Sequence, residues 1–422
     1  MTPADLRPPA DDAAGRPSRT LTAATLPLTL LIQAAASAAA IAPAVAAPAL
    51  LARNGAGPIA VGFYVAAVYG AAMFSSQFGA VLGKRWGPIR TSQVALLLGA
   101  VGVMLVGVPH LGVALIGALL IGAGYGPITP ASSEILARTT PPERYAIVFS
   151  IKQTGVPVGG VVAGLLVPVV TDLSGPIWAM AAIAALCVLG AALGQTLRPA
   201  LDRLRDTAAP LPSLARIMGP VRFVVGHRSL FTLAMCSLVF SAVQVCVTSY
   251  TVTFLTHDLR WTLVAAGAGL AVAQVAGVAG RVLWGWLADR HADARRVLIA
   301  LGAAMTLCGL LMALLDAATT PVLVTVLLGV YGATAVGWNG VYLATIARVV
   351  PIERAAAATS GSLFFTYFGV VVGPPLFGAV GESFGRFGPA YALLALPLAW
   401  SLVALWRWQP GPAGPASPAG AG

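Results

Sequence analysis

The chain has 422 residues, of which 58% are hydrophobic and 9% charged, whereas soluble domains carry about 25% charged residues. No water-soluble fold could bury that much apolar surface, which excludes soluble enzymes and soluble binding domains. A formal charge of +11 would suit a nucleic-acid binder, but the basic residues sit in short links between apolar runs, where they set membrane orientation; no nucleic-acid partner is expected.

Residues 1–21, rich in Pro, Asp, Arg and Ala, lack apolar periodicity and are expected to form a disordered tail. Twelve apolar runs follow at 22–48, 58–82, 92–109, 111–137, 145–171, 176–197, 229–255, 261–286, 297–316, 321–347, 356–380 and 388–406. At 1.5 Å per residue each is long enough to cross a hydrocarbon core of about 30 Å. The expected fold class is an all-α membrane protein of twelve transmembrane helices in the lipid bilayer. Its 47 Gly and 31 Pro are tolerated there because neighbouring helices satisfy freed backbone groups. The first run lacks a convincing cleavage site behind a short apolar core and is read as retained. Residues 408–422 form a second disordered tail.

Basic residues mark alternate connections: Arg7, Arg16 and Arg19; Lys84, Arg85 and Arg90; Arg138 and Arg144; the stretch from Arg198 to Arg228; Arg290, Arg295 and Arg296; Arg348 and Arg354; and Arg407. The other connections hold only Arg53, Arg260 and Arg386. The positive-inside rule puts both termini in the cytoplasm, and the expected location is a bacterial inner membrane. Cys187, Cys236, Cys246 and Cys308 all fall inside apolar runs and read as buried thiols, with no metal or cofactor implied.

The segment 198–228 is the one long polar connection, and it separates six runs at 22–197 from six at 229–407. LARTTPPER at 136–144 returns as IARVVPIER at 346–354, and GKRWG at 83–87 has a counterpart in ADRHA at 288–292. Equivalent places in the two halves carry each pair, as a duplicated six-helix unit would.

On these residues the chain resembles the major facilitator superfamily, whose loop signature GxxxDRxGxR follows helix two and recurs after helix eight. Gly285, Asp289 and Arg290 match the second copy; Arg85 and Gly87 match the first, where Ala80 and Lys84 replace the usual Gly and Asp. The resemblance implies two pseudo-symmetric six-helix bundles, alternating access, and a gating role for these five loop residues. Gly155, Pro157, Gly159 and Gly160 resemble the Gly-Pro motif of antiporter members. Small-residue faces such as Gly155/Gly159 and Gly369/Gly373 suit close helix packing, either static or gating.

A charge at bilayer depth costs roughly 2.5 to 3.5 kcal/mol on insertion scales. Lys152 lies eight residues beyond Arg144, and Arg281 eight before Asp289, each about 12 Å from its membrane edge. Neither has an acidic partner at its own depth, so an anionic substrate is expected to balance both. Snorkelling is the alternative for Lys152, and a structural bond toward the Asp289 loop is the alternative for Arg281. Gln274 shares the Arg281 stripe, while Gln244, Trp338, Asn339, Gln33 and Tyr64 are further candidate substrate contacts, which interhelical hydrogen bonds would explain equally well. Glu134 could carry a coupling proton, or pair as a latch with Arg138 or Arg85. Nucleotide loops, HExxH and CxxC motifs are absent, so no enzyme and no catalytic residue is expected.

The expected function is secondary transport of a small solute, an organic anion such as a carboxylate, by a monomer. The alternatives are a proton-coupled exporter of drug-like or amino-acid-like compounds and a non-transporting membrane sensor.

Overall fold

The computed structural model describes residues 19–140, 148, 151–203, 205–208, 214–291, 294–350 and 352–409. The two expected tails lie almost wholly outside them, as does Arg144. Among the described residues there is no strand, and twelve helical segments are long and apolar enough to cross a membrane. The helices are α1 (Arg19–Val45), α2 (Ala47–Asn54), α3 (Ile59–Trp86), α4 (Pro88–Val106), α5 (Leu111–Thr139), α6 (Gly155–Ser174), α7 (Pro176–Leu201), α8 (Leu214–Val225), α9 (Arg228–His257), α10 (Leu263–His291), α11 (Ala294–Ala313), α12 (Pro321–Ala335), α13 (Asn339–Val349), α14 (Ile352–Ser383), α15 (Gly388–Leu393) and α16 (Ala395–Arg407).

The third span starts at Pro88 rather than at 92, because proline at the first helical position has no N–H to waste and a preset φ. The tenth span is broken: α12 ends at Ala335 and α13 starts at Asn339, with Val336–Trp338 as a turn between them. The stretch between the sixth and seventh spans holds a helix of its own, α8, whose Pro220 backbone packs against Gly361 of α14.

The chain divides into two compact units, Met1–Ala56 with Ala67–Pro212, and Gly57–Ala66 with Ser213–Gly422. In the first, Gly155 and Gly159 bring α6 onto α1, with Gln33 and the Ala34 carbonyl where their Cβ atoms would be. Gly122 and Gly126 seat α5 against Val68 and Ala72 of α3, and the Gln93 amide of α4 donates to the Ala191 carbonyl and to Gln195 Oε1 of α7, both at 3.0 Å.

The second unit repeats these pairings. Gly369 brings α14 onto Leu238 of α9, and Gly280 and Gly332 join α10 to α12 at the Ala333 and Ala273 carbonyls. Arg295 of α11 donates from Nε to the Leu405 carbonyl at 2.9 Å and from its terminal amine to the Trp406 carbonyl, at the C-terminal end of α16. First with fifth, second with fourth and third with sixth is thus the order in each half. The first turns of α3 group with the second unit, where the Ile59 N–H donates to Glu382 at 3.2 Å.

Candidate functional site

In the second unit the broken tenth span carries a polar cluster. Trp338, 1% exposed, donates its indole N–H to Gln244 Oε1 of α9 at 3.0 Å, and the Asn339 amide donates to the same oxygen at 3.1 Å. Phe240 and Tyr342 meet the indole edge-on, with centroids 5.6 and 5.3 Å away. The sequence candidates Gln244, Trp338 and Asn339 therefore form one network. A helix break strands backbone groups that a membrane protein must satisfy internally, and here the Val336 carbonyl accepts from Arg281 Nε of α10 at 3.1 Å. Trp284 donates to the Ala333 carbonyl one turn earlier, at 2.8 Å. The Arg281 guanidinium is thus anchored at the break by a main-chain oxygen. Gln274, 2% exposed, leaves its buried Oε1 without a hydrogen-bond partner.

The serines on the α9 polar face serve helix packing: Ser237 and Ser241 bond Thr366 of α14, at its hydroxyl (3.0 Å) and its carbonyl (2.7 Å). Interhelical bonding explains these two.

In the first unit Lys152 is 1% exposed, on the helical turn that leads into α6. Among the described residues its ammonium donates to the neutral amide oxygen of Gln153 at 3.4 Å. Snorkelling to water is inconsistent with that burial. Gln33 is fully buried on α1, accepts from the Thr129 hydroxyl at 3.2 Å, and leaves its Nε2 unpartnered. Tyr64 lies on the first turns of α3, among residues grouped with the second unit, half-buried and hydrogen-bonded or in ring contact.

Glu134 reaches the C-terminal end of α3, which runs through most of the expected loop signature: a methyl on Gly83 would come within 2.7 Å of its carboxylate. Gly87, the one residue between α3 and α4, has φ of +94°. Asp202, just past α7, fills the space beside it and accepts from the Ile89 and Arg90 N–H groups at 2.9 and 3.0 Å. Burial pushes the Asp202 carboxyl above the usual carboxylate range, with those two N–H donors and Arg198 pulling it back. Sequence reasoning missed this cap; its one local signal is Arg198, four residues earlier and 3.7 Å away. Asp202→Ala should cost about 0.5 to 2 kcal/mol, as loss of helix caps does, read as a lower melting temperature, whereas Asp202→Asn retains an acceptor and most of the stability.

The second copy of the signature, expected in a loop, lies within α10: Gly285 has open space where a side chain would start, and Arg290 is exposed with its guanidinium 5.3 Å from the Trp286 ring. The Asp289 side chain lies outside the described residues.

Residues 29–360 match the profile of the Major Facilitator Superfamily, more than half of the chain. The chain belongs to the Major Facilitator Superfamily. It is therefore a multi-pass transmembrane transporter, and the twelve spans are those of this superfamily's fold. A solved structure of a mutant of the nucleoside transporter NupG is similar at a TM-score of 0.76 and 14% identity, covering 92% of this chain and 99% of that one. A bacterial homologue of the human lysosomal transporter Spinster, inward-facing and occupied, is similar at 0.66 and 16%, covering 92% and 96%. At those identities both likenesses concern the fold. No curated protein matches the sequence.

Proposed function

We propose that this superfamily member is a secondary active carrier working by alternating access, and that its cargo is a small organic anion such as a carboxylate. The burial of Lys152 carries the reading: its ammonium is shielded from water and faces a neutral amide. A buried charge without a counter-charge is costly, and an anion that enters and leaves would offset that cost during each cycle. Glu134 beside Gly83 suits a loop latch better than a mid-membrane proton carrier, which weighs against the proton-coupled exporter. We place the protein in a bacterial cytoplasmic membrane, as a monomer with both termini inside.

A second reading is transport of a neutral, ring-bearing polar solute such as a nucleoside. The Gln244, Trp338 and Asn339 network offers amide and indole groups of that kind, and NupG is named a nucleoside transporter. Thermal shifts of the purified protein against carboxylates, nucleosides and cationic drugs separate the readings. A ligand at a hundred times its Kd stabilises the native state by about 2.7 kcal/mol. Carboxylates should raise the melting temperature; a response to nucleosides alone moves the assignment to the second reading, and a response to cations alone removes both.

A further inference from the structure

A cavity of about 480 Å³ lies in the first unit, at the end of the spans that carries the basic loops, and is lined by Arg85, Trp86, Arg90, Val94, Arg198, Arg205 and Thr207. Four arginine side chains therefore line one space. Arg198 has a carboxylate nearby, Asp202 at 3.7 Å, but both oxygens of that carboxylate already accept backbone N–H groups at the start of α4. Asp206, beside Arg205 in sequence, uses Oδ1 to accept the Ala208 N–H. Among the described residues Arg85, Arg90 and Arg205 form no contact ion pair with a carboxylate, and Arg205 feels Asp202 only at longer range. Like charges gathered in one place repel; the Asp202 carboxylate attracts Arg198 and Arg205 and offsets part of that repulsion, and a polyvalent anion would offset the rest.

We propose that this cavity is a phosphate-binding site, distinct from the transport pathway. Planar arginine forks pair with phosphate oxygens in bidentate fashion, and the Thr207 hydroxyl adds a neutral donor. Two sources share that chemistry: the headgroup of an anionic phospholipid, and soluble phosphate or its esters. Trp86, 43% exposed at the end of α3, is the residue type that sits at headgroup level. Basic pockets between helices on the cytoplasmic side suit cardiolipin-type headgroups. The lipid is on those grounds the expected occupant.

The test uses the full chain and an Arg90→Gln/Arg205→Gln double variant. Both residues are exposed, so the variant should fold, as checked by its melting temperature. Arg203→Gln is the control: it also removes an exposed positive charge, but Arg203 does not line the cavity and bonds the Pro199 carbonyl. In one arm, native mass spectrometry reads retention of cardiolipin against phosphatidylcholine; in the other, thermal shift reads inorganic phosphate. Wild type and Arg203→Gln should retain cardiolipin at least tenfold better than the double variant. Arginine-dependent binding of inorganic phosphate without a lipid preference would keep the site and name the soluble source. If neither probe distinguishes the double variant from wild type, the site does not exist.

Discussion

Replacing Lys152 by Met should abolish carboxylate uptake while leaving the protein as stable as before, or more so. An unbranched apolar side chain fills similar volume, and it removes a charge whose burial costs roughly 2.5 to 3.5 kcal/mol on insertion scales. Stability should therefore hold or rise by up to about 3 kcal/mol in a melting experiment. Uptake into proteoliposomes should meanwhile fall at least a hundredfold, about 2.7 kcal/mol or more in transport free energy. The opposite signs matter, because a residue kept for structure would lose both together. Lys152→Arg keeps the charge but not the compact head and should retain only part of the uptake. Undiminished carboxylate uptake by Lys152→Met would sink the anion reading.

The second large effect is expected at the seam between α10 and α12. A side chain at Gly332 would overlap the carbonyl oxygen of Ala273, a backbone atom that cannot rotate aside. Gly332→Val should destabilise by about 3 kcal/mol or more, the upper range of overpacking, and lower both yield and melting temperature. Gly285→Ala is the matching control, since nothing lies within 4 Å of the added carbon and alanine favours a helix over glycine by roughly 0.5 to 1 kcal/mol. A Gly332→Val protein that melts with wild type would show that the two helices do not approach so closely.

Spans and their order were legible in the sequence because a bilayer imposes one length and one polarity on every crossing segment. The tenth-span break was not: around Val336 and Gly337 there is no proline, and only tertiary packing strands the carbonyl that Arg281 then binds. Spacing read Arg281 as a substrate cation or as tied toward the Asp289 loop, whose Asp289 side chain lies outside the described residues; no sequence pattern reveals the main-chain acceptor at Val336, 55 residues away. Gln244, Trp338 and Asn339 were legible singly, as polar groups in apolar runs; their shared oxygen required the fold. For Lys152 the sequence left substrate contact and snorkelling open; that the side chain is buried is a fact of packing, which spacing alone does not give. The α8 helix was hidden inside a segment read only as a polar connection.

The Asp202 carboxylate stands 113 residues after the Ile89 amide that it receives. At translation rates of about 5 to 20 residues per second, a ribosome needs roughly 6 to 23 s to cover that distance. Until then the leading amides of α4 have only water as acceptor, and the turn at Gly87 lacks its neighbour. The first six crossings are thus closed by the residue that ends them, so that completion of the half, rather than insertion of each helix in turn, sets the moment at which its basic loop takes shape.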